Sequence, residues 1–142
     1  MTSGQLETKL DVLKANLIKL DAIPQATFEE FVADFRNVSS TLYILQTSIQ
    51  ALIDVAAYQA ARLGLPSPRT SYEIFERLEQ AGHLPGGTAK EIGPIIGFRN
   101  RIVHLYDRID ERRVYEILVD HRRDVAQLLD QLLAISTDDA TS

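Results

Sequence analysis

The segment FRNRIVHLY, residues 98–106, sets Arg99, Asn100, Arg101, His104 and Tyr106 among Phe98, Ile102, Val103 and Leu105. On a helix, at about 100° per residue, Asn100 and His104 are four apart and share a face, with Arg101 on the same side. Arg99 and Tyr106 are seven apart and also lie close in angle. Arg99 and His104 are five apart, about 140° around the axis, and a long Arg side chain can bend across that gap. The helix is expected to end near His104, because YDRID reads as an exit, so His104 would be both anchored and wet.

These residue types permit a narrow chemistry. A His titrates near neutrality and serves as general base or acid. An Arg holds a phosphate and stabilises charge that develops on it. Asn can orient an imidazole, and Tyr can donate a hydrogen bond. With RNA, a base would take the proton of the 2′-OH, which attacks the adjacent phosphate. That reaction requires no metal and no cofactor, but it benefits from a second proton donor for the leaving oxygen. One chain offers one motif His; two chains with facing motifs offer two, so a symmetric dimer would supply the missing acid. From spacing alone, a single His near a helix end is more often structural than catalytic. Arg99 and Arg101 also read as surface ion-pair partners, and Tyr106 as a core-edge residue.

The elements that must position the motif are helical. Leu6, Leu10, Leu13, Leu17 and Leu20 form one apolar stripe, closed by Pro24. Phe28, Phe31, Phe35, Val38, Leu42, Leu45, Ile49, Leu52 and Ala56 continue three-four spacing and predict one helix from Thr27 to Leu63, with a bend near Asn37–Ser40. GLPSPR is a loop. Thr70 with Glu73 predicts a capped helix to Ala81, stopped by Gly82. Thr88 with Glu91 suggests a second capping box, followed by an irregular start at Pro94 and good helix over Ile95–Leu105. Asp110 then caps a last helix, Glu111 to Ile135, with a stripe at Val114, Leu118, His121, Val125, Leu128 and Leu132. The expectation is one all-α domain over residues 1–142, an antiparallel up-and-down bundle of about five helices with a long second helix, its tail frayed after about residue 136.

Composition narrows the class. With 45% hydrophobic and 25% charged residues, 142 residues suffice for one domain with a real core. Without Cys there is no disulfide framework, thiolate metal site or Cys nucleophile. His83, His104 and His121 are too far apart in sequence to suggest a metal site, and PGGTAK lacks the full spacing of a phosphate loop. His121, on the last stripe, reads as a polar core or interface residue. No apolar run spans a bilayer, and the opening MTSGQLETKLDVLKANL lacks a leader's apolar core, so a cytoplasmic location is expected. A net charge of −5 argues against broad nucleic-acid binding, yet residues 99–123 hold seven Arg and five acids, leaving −7 for the rest.

GFRNRIVHLYDRID resembles the signature of HepT-like proteins, a branch of the HEPN superfamily: Arg, four residues of which the first is polar, His, one residue, Tyr. Those positions are Arg99, Asn100, His104 and Tyr106. The resemblance covers roughly residues 5–135, through the long second helix, the short helix before GHLP and the closing VYEIL…LLDQLL helix. It implies a homodimeric, metal-independent ribonuclease toxin with paired Arg and His in a cleft between protomers. It also implies a neighbouring MntA-like nucleotidyltransferase antitoxin, which in some members adds AMP from ATP to the motif Tyr. Carried over, Arg99 would hold the scissile phosphate and His104 would be base or acid. Asn100 would orient the site with Arg101 in support, and Tyr106 would accept AMP. Two other readings are a non-catalytic module binding nucleotide, RNA or the transferase, and a purely structural dimerising bundle.

Overall fold

The computed structural model describes residues 2–104 and 110–135, with the backbone alone at 103 and 104. Among the described residues every regular element is helical. Helix α1 is Ser3–Ala22, α2 Phe28–Val32, α3 Phe35–Arg62, α4 Ser71–Gln80 and α5 Thr88–His104. The last segment joins α6, Glu111–Glu116, to α7, Arg122–Leu133, through a single wide π-turn, Ile117–His121. None of the described helices is long and apolar enough to cross a membrane.

The single helix expected over Thr27–Leu63 is two. The apolar spacing is continuous, but the chain breaks at Ala33–Asp34 rather than bending at Asn37–Ser40. Asp34 is the cause. In extended backbone, its carboxylate accepts from the Arg36 backbone N–H (2.9 Å) and from the Arg36 guanidinium (2.7 Å). It is a helix N-cap, and a cap residue starts a helix by leaving the previous one. The broken-off α2 stays in place because Phe28 packs edge-on and Phe31 at a tilt against Tyr115, whose hydroxyl donates to the Gln25 carbonyl (3.0 Å).

Helix α3 is then 28 residues, about 42 Å at 1.5 Å per residue. It is the central element, touching α1, α2, α4, α5, α6 and α7. Leu45, Ile49, Leu52 and Ala56 form its buried spine, met by Leu13 and Leu20, Phe75 and Leu78, Ile95, and Leu118 and Leu132. The Gln59 amide donates to the Leu132 carbonyl (2.8 Å), tying the end of α7 to this spine. Gly64 and Gly82 end α3 and α4 in left-handed backbone, and the Leu65 and His83 N–H groups close back onto Ala60 and Leu78.

The π-turn corrects the last stripe. Val114, Leu118, Val125, Leu128 and Leu132 are buried, but His121 is only half-buried and its Nδ1 meets the Asp124 carboxylate at 3.0 Å. A wide turn shifts the phase of the helix and leaves carbonyls without their usual partners. The Arg122 guanidinium donates to two carbonyls within the turn, Leu118 (3.1 Å) and Val119 (3.3 Å), and its Nε donates to Asp21 on α1 (2.9 Å).

Candidate active site

The helix that carries the motif begins by a means other than the expected capping box. Thr88 is inside the helix and donates its hydroxyl to the Pro85 carbonyl (2.6 Å). The cap comes from a neighbour: Glu79 of α4 accepts from the Ala89 N–H (2.8 Å). Nor does Pro94 delay the helix, which runs unbroken over Thr88–His104. Pro94 is exposed, so water can satisfy the carbonyl that its ring leaves unpaired. The preceding residue is Gly93, which has no Cβ to collide with the proline ring.

Ala89, Ile92, Ile95, Ile96 and Phe98 define the buried face of α5. Gly97, Asn100 and Arg101 are exposed, as is Pro94. Arg99 falls on the inward side, seven residues from Ile92 and four from Ile95, where α5 faces α3. This explains how so polar a segment sits on a core helix: Arg99 enters the helix-helix seam while Asn100 and Arg101 stay outside. Arg99 Nη2 donates to Gln50 Oε1 of α3, and Nη1 donates to Asn100 Oδ1 (3.1 Å). Its described partners are therefore neutral amides. Neither amide cancels the guanidinium charge, and among the described residues no carboxylate pairs with it.

Asn100, the residue expected to orient the site, accepts from Arg99 through its Oδ1. Tyr106 and the side chain of His104 lie outside the described residues. Three arginines of the Arg-rich segment make structural contacts. The Arg112 guanidinium lies 4.1 Å from the Phe28 ring centroid, Arg113 pairs with Glu116 (3.1 Å), and Arg122 bridges to Asp21. Arg101 and Arg123 are exposed. Gln50 was not anticipated. Its signal was a polar pair, Gln50 and Asp54, four apart on α3 beside the apolar spine. A groove of about 790 Å³ opens between α1 and α3, lined by Lys9, Asp54, Tyr58 and Arg62 among others.

Fold and motif together define an all-helical protein with a buried-edge arginine on its motif helix. The chain matches the family described as "Ribonuclease HepT-like" over residues 13–132. It belongs to that HepT-like family. It is 31% identical over 110 residues to the tRNA nuclease HepT of Aphanizomenon flos-aquae, covering 78% of this chain and 75% of the relative. It is 27% identical over 105 residues to the mRNA nuclease HepT of Shewanella oneidensis, covering 74% and 79%. The tri-AMPylated Shewanella oneidensis HEPN toxin in complex with MNT antitoxin has the same fold (TM-score 0.80, 23% identity, 94% of this chain and 99% of that one). So does a chain of a toxin–antitoxin complex with AMP-PNP (TM-score 0.78, 22% identity, 93% and 99%).

Proposed function

We propose that this protein is a ribonuclease toxin of a toxin–antitoxin pair, restrained by a nucleotidyltransferase antitoxin of the MntA kind. The observation that carries the reading is the family match across residues 13–132, which spans the whole motif helix. Two relatives named as RNA nucleases and a similar fold held by an antitoxin point the same way.

In the mechanism, Arg99 binds the scissile phosphate and stabilises the charge that builds on its oxygens. His104 removes the 2′-OH proton or returns a proton to the leaving 5′ oxygen. Both bond changes occur on the RNA, so the residues only move protons and hold charge. Arg99 faces α3, whereas position 104 falls on the arc of Gly97 and Arg101, about 140° away. A homodimer joined across this arc would bring the two His104 positions toward each other, so that one could act as base and the other as acid. Gly97 supports that contact: it is exposed, and a Cβ there would meet no described atom within 4 Å. Among the described residues, nothing demands its small size. Tyr106 would be the hydroxyl that receives AMP, and Arg101 would hold the flanking strand.

The deciding experiment is cleavage of total cellular RNA by the purified protein, alongside growth of cells expressing it. Wild type should cut RNA and arrest growth. Arg99→Ala and His104→Ala, folded by circular dichroism, should do neither, with losses of about a hundredfold or more. Equal cleavage by all three would remove the motif from the chemistry, and no cleavage by unmodified wild type would leave a binding module.

A further inference from the structure

Arg99 is the near end of a longer run of side chains. Gln50 Oε1 accepts from its guanidinium, and Gln50 Nε2 donates to Asp54 Oδ1 (3.0 Å). The other oxygen, Asp54 Oδ2, accepts from Lys9 Nζ (2.6 Å). Three helices take part: α5 supplies Arg99, α3 supplies Gln50 and Asp54, and α1 supplies Lys9.

The order of groups is informative. An amide between a cation and a carboxylate has one workable orientation, oxygen toward Arg99 and nitrogen toward Asp54. Turned over, it would set N–H against N–H and oxygen against oxygen. Asp54 thus sets the amide of Gln50, and Gln50 sets the guanidinium of Arg99. Gln50 also keeps the acid one residue away from Arg99. A carboxylate at position 50 would pair with the guanidinium directly and offset the charge a phosphate needs. Lys9 completes the run by countering Asp54 at the rim of the groove between α1 and α3.

We propose that Gln50 and Asp54 are positioning residues for Arg99, which aim its guanidinium at the scissile phosphate without neutralising it. The inference rests on the ribonuclease reading for its consequence, but the positioning is measurable without activity. Two experiments test it on the full-length protein. The first is nitrogen NMR of the Arg99 guanidinium, assigned with Arg99→Lys. Rotation about its Nε–Cζ bond should be slow in wild type and fast in Gln50→Leu, which keeps bulk but removes both hydrogen bonds. The second is single-turnover cleavage of a labelled single-stranded RNA. Gln50→Leu and Gln50→Glu, folded and thermally stable, should lose about ten- to a hundredfold in the saturated rate, with little change in half-saturation.

A residue with only a packing role would leave the saturated rate of Gln50→Leu at the wild-type value. That result, with Arg99→Ala inactive, overturns the proposal and spares the ribonuclease reading. Unchanged rotation at Arg99 in Gln50→Leu overturns it as well. If Arg99→Ala itself cleaves like wild type, the ribonuclease role of Arg99 falls and takes the proposal with it, whatever the NMR finds.

Discussion

Arg99 is distinguished by its neighbours more than by its charge. Among the described residues, two amides fix its fork without offsetting its charge. Lysine at this position keeps the charge but cannot present two parallel donors to a phosphate while bonding Gln50. Arg99→Lys should therefore lose most of what Arg99→Ala loses in RNA cleavage, and a rate near wild type would argue against bidentate contact. Tyr106 carries a separate prediction. Tyr106→Phe should gain no AMP-sized mass when co-expressed with the cognate nucleotidyltransferase, under conditions where wild type gains it. Modification that persists in this variant would move the acceptor elsewhere. Helix spacing singled out Arg99, Asn100 and Arg101 as candidates, and the family resemblance supplied the roles expected of them. Spacing did not find the direction of Arg99, since that depends on where α3 lies. Gln50 escaped for the same reason: it is 49 residues away, and only packing brings it to the motif.

Helix existence was legible almost everywhere, and helix boundaries less so. Apolar periodicity passes straight through Ala33–Asp34, so it could not reveal the break that a single cap imposes. The cap has a pH signature. Hydrogen bonds from the Arg36 side chain, then its backbone N–H, hold the Asp34 carboxyl below its ordinary value. Because the folded value lies below the unfolded one, the contribution is complete above the unfolded value and is lost as pH falls through the folded value. The α2–α3 corner should loosen in acid, read as faster amide exchange at Arg36 and Asn37, and Asp34→Asn should blunt that pH dependence. The start of α5 was misread because its cap comes from another helix. Glu79→Ala should lower stability by about 1 kcal/mol in urea unfolding, whereas Glu79→Gln keeps an acceptor and should lose less. Equal effects would mean that charge, not the bond to Ala89, matters.

For the whole molecule, the question is what meets the exposed arc of α5. Gly97→Ala separates the protomer from the pair. Alanine is the better helix former by roughly 0.5–1 kcal/mol, so an isolated protomer should gain stability. A dimer packed over Gly97 should instead weaken, with a rise in its dissociation constant by sedimentation and a fall in RNA cleavage. Mixed dimers test the shared site. If both His104 side chains are needed, activity in mixtures with His104→Ala should follow the square of the wild-type fraction; a linear decline would mean independent sites. Overall acidity did not predict the function class, and the Arg-rich segment overstated the basic surface. Arg112 and Arg122 reach across to α2 and α1 and Arg113 pairs within α6, roles that local charge counting cannot separate from binding.

The wide turn at Ile117–His121 has a consequence for how this chain tolerates changes in length. Such a turn is what remains when one residue is added to a regular helix without disturbing either side. Removing Asp120, which is exposed, should restore ordinary winding and leave the faces of α6 and α7 nearly in register. The cost would fall on Arg122, which would lose the two carbonyls that it now caps. The same deletion at an exposed site in α3, such as Gln46, would rotate every later side chain by about 100° and empty the core. One exposed residue is therefore dispensable in the last helix and indispensable in the central one.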